Sequence, residues 1–462
     1  MESNNLEVKL ISECFIKPKS QVEESKTPYY LVGEDLICLS LRYIQTGFLY
    51  NKPITNDFDI NTFVEKMKQS LSHALVYYYP LAGRFTTVTY PDEHALSIHV
   101  DCNKGPGVRF IHASCLGATV ADIAGHTAYT LPLIRSFIDL GETGVVNYDG
   151  HTRALLNLQV TELKDGVFIG FGLNHSIADG VSFMNFLNCL SEISLSETSD
   201  KLDISVSSIP ILKPYIPDGC NLLQKLPYLE EKEFISRVKN DPRLQEKFFH
   251  FSPLSISNLK KRVNSEWPEG LGKVSSFQSL AALTWISINR AQKAPAQKIA
   301  VCLIQMDCRS RFNPPLSLAQ FGNPRQTLVL NQDVGELIEN GLTHAAMVIH
   351  QGITGYDHEV ATEKMTEFMK NPFVIRLDED FANFEHINLT PFAWATRFNI
   401  YGVDFGLGKP VAVPTGDNDK KEGIVFTKAA RDGGVDFEVS LFPESMIALE
   451  SDREFMEYAS SV

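Results

Sequence analysis

The sequence predicts an α/β protein built as two halves, and three features lead to this prediction. Strand-like and helix-like segments alternate through both halves. At 462 residues the chain is too long for one core, and its length favours two or three domains. Between Glu192 and Gly219 the periodicity disappears while Ser, Asp and Pro accumulate, which is typical of a linker. We therefore expect a first domain over residues 1–195, a linker over 196–225 and a second domain over 226–462.

In the first half, alternating apolar residues predict strands over residues 6–15, 94–101 and 131–140. The segment NTFVEKMKQSLSHALVYY, which starts at Asn61, has apolar side chains at helical spacing, and Pro80 ends that helix. These elements alternate, so a sheet covered by helices is expected.

Two further apolar runs, over residues 154–163 and from Val167 onward, are joined by Asp165-Gly166, a strong hairpin signal. The second run ends in a short polar loop that carries His175 and Asp179, and an amphipathic helix follows it. A loop at the end of a strand is held by a rigid scaffold and faces a cleft. A neutral imidazole there can accept a proton, because its unperturbed pKa of about 6.5 lies near physiological pH.

A structural interpretation of the same loop competes with the catalytic one. Asp179 has the right position to cap the helix that begins near Val181, and His175 then only satisfies hydrogen bonds. The bare H-x-x-x-D pattern is weak, since chance gives about one match in a chain of this composition. From the local residues alone the two interpretations have similar weight.

The second half follows the same alternation of strands and helices. Its most distinctive element is the continuous apolar run IAVCLIQM over residues 299–306, which suits a strand buried on both faces. The other predicted elements are strands over 248–252, 397–404 and 434–443, and helices over 255–263, from Ser275-Ser276 onward, over 334–351, 359–369 and 445–459.

Charge and hydropathy exclude several classes of partner. The 42 basic residues against 56 acidic ones give a formal charge of -14, which argues against a nucleic-acid or anionic membrane surface. The apolar runs are shorter than the roughly 18 residues that span a bilayer. The polar start MESNNLEVKL carries no secretory pattern, so we expect a cytoplasmic protein.

The eight cysteines lie far apart and form no C-x-x-C pair. This spacing fits neither a zinc site nor a disulfide framework, so most are expected to be reduced thiols. We predict no metal site.

Several short motifs, taken in order and at their spacings, resemble those of the plant BAHD family of acyl-CoA-dependent acyltransferases. They are YYPLAGRF at 78–85, NHSIADGVS at 174–182, SFQSLAALTW at 276–285, DCRSRFNPP at 307–315, FGN at 321–323 and VDFGLGKP at 403–410. The resemblance implies a chloramphenicol-acetyltransferase-like fold. Each of its two domains is a mixed β-sheet flanked by helices, and the active-site channel runs between the domains.

The resemblance also implies roles for the residues of the loop. His175 is expected to be the general base that deprotonates the acceptor, while Asp179 supports the loop by pairing with an arginine, for which Arg309 is the candidate. A semi-buried carboxylate without a cation is costly, which makes the pairing physically sensible. Acyl-CoA is the expected co-substrate, with no permanently bound cofactor, and the protein is expected to be a monomer.

For coenzyme A, the resemblance suggests Lys260 and Lys261 near the phosphates and Ser276 at a helix start near the pantetheine arm. The amide-rich start of a helix suits an anion. A basic run of this kind is more often a solvated helix face, and that interpretation stays open for the two lysines.

The segment DFGLG contains Asp404, Gly406 and Gly408, which are expected to form a structural turn. A protein kinase is excluded because the chain has no glycine-rich phosphate loop in its first half and no H-R-D. Leu407 stands where most family members have Trp, which suggests an altered substrate pocket. Of the preceding AWATRF only Arg397 matches the family securely, so Thr396 remains an undecided donor to the oxyanion.

Three functions remain open at this point. The preferred prediction is transfer of an acyl group from acyl-CoA to the hydroxyl or amine of a plant specialised metabolite. The absence of the Trp is also typical of a subgroup containing a cuticle-related acyltransferase and an isochorismoyl-glutamate lyase of salicylate biosynthesis, so a lyase is the second hypothesis. A non-catalytic small-molecule binder is the third, although the intact H-x-x-x-D disfavours it.

Overall fold

The computed structural model describes residues 6–53, 58–125, 131–138, 144–196, 206–237, 241–267, 272–376, 386–416 and 420–461. These residues form a mixed sheet in each half of the chain and a small third sheet. The prediction of mixed sheets flanked by helices is confirmed. Within the described ranges, no helix combines the length and the apolar character that crossing a membrane requires.

The strands of the first half are β1 Lys9–Ile16, β2 Tyr29–Tyr30, β3 Ile44–Asn51, β4 Arg84–Tyr90, β5 Ala95–Asp101, β6 Val108–Cys115, β7 Leu156–Leu163 and β8 Gly166–Leu173. The larger sheet has the order β1-β6-β7-β8-β3, and the smaller one has the order β2-β5-β4. Strands β6 and β7 run parallel, whereas β7 and β8 form the predicted antiparallel hairpin.

The strands of the second half are β9 Gln245–Phe251, β10 Ile299–Asp307, β11 Arg325–Asp333, β12 Ile387–Ala395, β13 Val425–Ala429, β14 Val435–Leu441 and β15 Ser460–Ser461. Their order in the sheet is β11-β10-β12-β13-β14-β9-β15. Strand β10 pairs with β11 on one side and with β12 on the other. The face that carries Ala300, Cys302, Ile304 and Met306 is buried, whereas Leu303 and Gln305 on the opposite face are only partly buried. The predicted strand is confirmed, but the prediction that both of its faces are buried is wrong for the second face.

The α-helices pack on these sheets. They are α1 Glu34–Ile37, α2 Ile60–Tyr77, α3 Val120–Ala124, α4 Leu131–Ser136, α5 Gly180–Leu195, α6 Pro253–Ser265, α7 Ser276–Ala291, α8 Val334–Thr354, α9 His358–Lys370, α10 Pro443–Glu450 and α11 Arg453–Met456. Helix α2 buries Phe63, Met67, Leu71 and Leu75, the apolar positions that predicted it.

Three predicted elements differ from the structure. The strand predicted over 131–140 begins as the short helix α4, and residues 139–140 lie outside the described residues. The strand predicted over 397–404 is wrong, because the strand ends at Ala395 and the chain then leaves the second sheet. The closing helix is divided, since Asp452 caps a new helix by accepting hydrogen bonds from the amides of Glu454 and Phe455.

After leaving the second sheet, residues 398–416 pack on the first half. Ile400, Val403, Phe405 and Val413 belong to the core around β3 and β8. Backbone hydrogen bonds join Leu49 of β3 to the segment, with its N–H donating to Ala412 O at 2.9 Å and its carbonyl accepting from Val411 N. The free edge of the first sheet is therefore covered by chain from the second half. The domain boundary placed in residues 196–225 stays a prediction, and residues 197–205 of it lie outside the described ranges.

Candidate active site

The loop that carries His175 is held in place by Asn147, a fully buried residue of the first half. The Asn147 side-chain oxygen accepts from His175 N at 2.7 Å, and its Nδ2 donates to Cys38 O at 2.8 Å. The neighbouring Asn174 donates to Asn147 O at 2.7 Å and accepts from Ser176 N at 3.0 Å. The backbone of the loop is thus fixed on both sides of the histidine.

The second half contacts the same loop through Asn323. Its Nδ2 donates to His175 O and to Asp35 Oδ1, each at 2.8 Å. Burial raises the pKa of Asp35 to about 7, although hydrogen bonds from Val32 N and Asn323 act in the opposite direction. His175 therefore lies where the two halves of the molecule meet.

The His175 side chain is half-buried. Burial lowers its pKa to about 4, the positive charge of Arg325 adds to that effect, and Asp179 partly opposes it. Its Nδ1 is buried and forms no regular hydrogen bond with any described residue. The imidazole is consequently neutral at physiological pH, which is the state that can accept a proton.

Asp179 makes both of the contacts considered for it. As the N-cap of α5, its Oδ1 accepts from Ser182 N at 2.9 Å. Arg309 binds the same carboxylate with both terminal nitrogens, at 2.7 Å from Nη1 and 3.0 Å from Nη2. The capping interpretation and the arginine pairing thus hold together.

Arg309 is fully buried and uses all of its donor nitrogens. Besides Asp179 it donates to Gln320 O from Nε at 3.1 Å and Nη2 at 2.9 Å, and to Asp307 Oδ1 at 2.9 Å. Its Nη2 also donates to the Ser182 hydroxyl at 3.0 Å. Since Asp179 and Arg309 belong to different halves of the chain, this ion pair ties the loop to the second half.

The DFGLG segment forms a tight turn around Asp404. Asp404 Oδ1 accepts from Gly406 N at 2.7 Å and from Gly408 N at 2.9 Å. Both glycines have positive φ angles, 94° and 82°, which residues with a Cβ rarely adopt. Ser191 of α5 donates to Asp404 O at 2.6 Å, so the turn sits on the helix that follows the His175 loop. Leu407 is half-buried and packs against the hydrophobic core around β3 and β8, called here the first core.

Thr396 and Arg397 form a turn beyond the end of β12, and the Arg397 side chain is exposed. The following Phe398 lies over the start of α5. A Cβ at Gly180 would approach the Phe398 ring to 3.0 Å, so glycine permits this close contact. No described contact selects Thr396 as the oxyanion donor.

The residues expected to contact coenzyme A lie on α6 and at the start of α7. Asn264 links these helices, because its Nδ2 donates to Lys260 O at 2.7 Å and its Oδ1 accepts from Val274 N at 3.1 Å. Ser275 caps α7, and the half-buried Ser276 is its first residue. Lys260 is half-buried and Lys261 is exposed. The link between α6 and the start of α7 runs through the Lys260 backbone carbonyl and the Asn264 side chain, not through a lysine side chain.

Sequence reasoning missed several residues of the site. Asn147 lies in a short turn with no recognisable motif, and its contacts to Cys38 and His175 span 109 and 28 residues of sequence. Asn323 was part of the FGN motif, but its contact with His175 was not expected. Arg325 follows the same motif, and its positive charge was the only sequence signal that could have pointed to it.

The fold defines a class of protein, the chloramphenicol-acetyltransferase-like α/β proteins with two mixed sheets. The structure of F. sporotrichioides TRI101 complexed with coenzyme A and T-2 has the same fold, with a TM-score of 0.72 at 18% identity, and the match covers 94% of this chain and 99% of that chain.

The Transferase family model matches residues 6–456, and the chain belongs to this family of BAHD acyltransferases. An uncharacterized acetyltransferase of Arabidopsis thaliana is 32% identical, covering 98% of this chain and 99% of its own length. The BAHD acyltransferase DCR of the same plant is 29% identical, covering 98% of this chain and 93% of its own length. This protein is therefore an acyl-CoA-dependent acyltransferase. Membership of the subgroup that lacks the Trp stays a prediction.

Proposed function

We propose that this protein transfers an acyl group from acyl-CoA to the hydroxyl or amine of a small plant metabolite, with His175 as the general base. The observation that carries the proposal is the neutral imidazole held by both halves of the molecule, by Asn147 from the first and Asn323 from the second. A base with a lowered pKa is unprotonated throughout the physiological range and needs no activation.

In the proposed reaction His175 accepts the proton of the acceptor O–H or N–H while that oxygen or nitrogen attacks the thioester carbonyl carbon. A tetrahedral intermediate forms, and its negative charge lies on the former carbonyl oxygen. The C–S bond then breaks as the C=O bond re-forms, and the imidazolium returns the proton to the departing CoA sulfur. The products are the acylated acceptor and free CoA thiol, and the histidine is regenerated.

Asp179 and Arg309 have a supporting role in this proposal. Their buried ion pair and the cap on α5 hold the loop in one conformation, which keeps the imidazole aligned with its substrate. The turn of Asp404, Gly406 and Gly408 contacts α5 through Ser191 and is proposed to support this helix. Leu407, the neighbour of this turn, is proposed to shape the substrate pocket.

Lys260, Lys261 and Ser276 are proposed to bind coenzyme A. The capped start of α7 offers backbone amides, and Asn264 joins the Lys260 backbone on α6 to Val274, two residues before α7. Supporting this proposal, a protein of the same fold, TRI101, is complexed with coenzyme A and a small molecule.

Replacing both lysines by alanine should weaken coenzyme A binding and reduce its dependence on salt, measured by calorimetry at two ionic strengths. Unchanged affinity and salt dependence would place the coenzyme elsewhere.

The transferase proposal is tested with a donor panel of acetyl-, malonyl-, benzoyl-, hydroxycinnamoyl- and long-chain acyl-CoA. Purified protein is titrated with each donor in a calorimeter, and thiol release is followed with mixed alcohol and amine acceptors. Saturable binding and acceptor-dependent thiol release are expected. Failure to bind any acyl-CoA, together with cleavage of an isochorismoyl-glutamate conjugate, would favour the lyase. Binding of small molecules without either reaction would favour the non-catalytic binder.

We also propose that the enzyme acts as a cytoplasmic monomer without a permanently bound cofactor. The acidic charge of -14 favours a surface that repels copies of itself. Light scattering during size-exclusion chromatography should give the mass of one chain, 51.7 kDa. A mass of twice that value would contradict the monomer.

A further inference from the structure

Arg325 lies beside the His175 loop although no step of the proposed reaction uses it. Its Nη2 donates to Cys38 Sγ at 2.8 Å. The carbonyl of Cys38 is joined to His175 N through the Asn147 side chain, and Asn323, two residues before Arg325, contacts His175 O. These contacts place Arg325 near the backbone of the His175 loop, at the junction of the two halves, and its positive charge lowers the pKa of the imidazole.

The contacts of Arg325 differ from those of Arg309, the fully buried arginine of the site. Arg309 binds the carboxylate of Asp179 with two nitrogens at hydrogen-bond distance. Arg325 contacts the amide oxygen of Gln305 and the thiol of Cys38, both of them neutral groups. Its nearest carboxylate in the described part of the chain is Glu34, whose Oε2 lies 3.8 Å from Nη1, beyond a hydrogen bond.

The Arg325 side chain is only 12% exposed, and its Nε is buried without a partner among the described residues. A guanidinium in such a place normally binds a carboxylate in a planar, two-pronged arrangement. Burial also raises the pKa of Glu34, so this carboxyl group takes up a proton more readily than an exposed one. The site therefore has a cation with unused donor capacity and a weak counter-charge.

We propose that Arg325 binds a carboxylate carried by the substrate, so that the enzyme selects anionic substrates. The inference rests on the proposed function, because it assumes that the substrate reaches His175. The carboxylate has two possible sources, the acceptor or the acyl group of the donor. In either case the substrate carboxylate gives Arg325 a negatively charged partner, as Asp179 does for Arg309.

A purely structural role for Arg325 makes a different prediction. As a link between Gln305 on β10 and Cys38 in the first half, it would affect stability and all substrates equally. A specificity role changes the affinity for carboxylates alone. Matched pairs of ligands that differ only in that charge therefore separate the two roles.

The first arm of the test measures binding without turnover. The probes are 4-hydroxybenzoate, 4-aminobenzoate, 4-hydroxycinnamate and mandelate, each with its methyl ester, titrated by calorimetry into the full chain. A second arm compares malonyl-CoA with propionyl-CoA. We expect at least one acid, or malonyl-CoA, to bind at least about tenfold more tightly than its neutral counterpart, since each tenfold is about 1.4 kcal/mol.

The variants Arg325→Gln and Arg325→Lys are measured in both arms, with Arg243→Gln as the charge control, because Arg243 is exposed and pairs with Asp241. The preference for the acid should disappear in Arg325→Gln, survive in part in Arg325→Lys and stay intact in Arg243→Gln. The acid arm identifies the acceptor as the source of the carboxylate, and the malonyl arm identifies the acyl group.

The proposal is overturned if neutral and anionic probes bind equally in both arms, if no anionic probe binds, or if the preference survives Arg325→Gln. An equal loss of affinity for acids and esters in a folded Arg325→Gln protein also overturns it and favours the structural role. Thiol release separates this result from the proposed function. Selective binding of acids without any acyl transfer would support the carboxylate site and contradict the proposed acyl transfer. Turnover of neutral substrates alone would support the acyl transfer and contradict the carboxylate site.

Discussion

At the scale of single residues, the site depends on two side chains with opposite requirements. His175 must be uncharged and reachable, and it is half-buried with Arg325 nearby. Asp179 must be charged and fixed, and it lies in a bidentate ion pair under the helix cap. In the proposed reaction, the loop thus separates the group that exchanges a proton from the group that holds the backbone.

The pH dependence of turnover should follow the lowered pKa of His175. Because that pKa is about 4, the imidazole is already neutral well below pH 6, and kcat/KM should stay level from about pH 6 to 8. Activity should fall only as the pH approaches 4. The free energy of unfolding should change with pH in the same direction. The histidine of the unfolded chain, with a pKa near 6.5, takes up a proton at a higher pH than the folded one, so stability is lost as the pH falls from about 6.5 towards 4. Initial rates over pH 4.5–8.5 measure this, and a midpoint near 6.5 would contradict it.

Replacing Asp179 by alanine should destabilise the protein by about 3–5 kcal/mol, because it leaves the buried Arg309 without its carboxylate partner. Urea unfolding measures the change. Asp307→Asn is the matched control, since Asp307 contacts the same arginine but is 35% exposed, and about 1 kcal/mol or less is expected there. Equal losses in the two variants would show that the buried pair has no special weight.

At the scale of elements, the DFGLG turn connects the second half to the first core. Phe405 is buried, and its ring meets those of Phe48 and Tyr50 at 6.2 Å and that of Phe171 at 6.0 Å. The Tyr50 hydroxyl donates to Val403 O at 3.0 Å. The turn is therefore part of the packing between β3, β8 and residues 398–416.

Phe405→Ala should cost about 3–5 kcal/mol, the usual loss when a buried aromatic ring is removed. Leu407→Ala removes a half-buried side chain two residues away and should cost about 1 kcal/mol. Thermal and urea unfolding of both variants check this. If Leu407 shapes the substrate pocket, its variant should instead change the ratio of kcat/KM between donors of different size. Comparable losses of stability in Phe405→Ala and Leu407→Ala would argue against a core role for the Phe405 ring.

The elements that the sequence predicted well have periodic side chains and local signals. The β7–β8 hairpin was marked by Asp165-Gly166, and β10 by a continuous apolar run. The prediction of a strand over 397–404 was wrong because its apolar residues, among them Val403, are buried in the core around β3 and β8 and not in a sheet. Asn147 could not be found, since nothing local indicates a buried amide whose partners lie far along the chain. Arg309 was placed beside Asp179 only through the family resemblance.

At the scale of the whole molecule, the two halves share a core. The first core contains Phe321, Val374 and Val403 from beyond residue 225, and the segment 411–416 covers the edge of β3. A second link is the ion pair between Arg135 of α4 and Glu246 of β9, at 2.7 Å. The candidate site draws on residues of both halves, and we expect it to form only when both are folded together.

Residues 1–225 expressed alone should therefore fail to fold, because the edge of β3 and the rings around Phe405 are then exposed to water. Co-expression with residues 226–462 should restore a soluble complex. Circular dichroism and size-exclusion chromatography of the fragment and the complex test this. A cooperatively folded 1–225 fragment would contradict the shared core.

The central claim is that His175 takes the proton of the acceptor, and the most direct measurement compares kcat of His175→Gln with that of the unchanged enzyme. A fold check by circular dichroism and an acyl-CoA titration accompany the rate. We expect acyl-CoA binding within about twofold of normal and a loss of kcat of about 10²–10⁴, the usual contribution of a general base. A folded His175→Gln enzyme that keeps its kcat within a few fold would contradict the account.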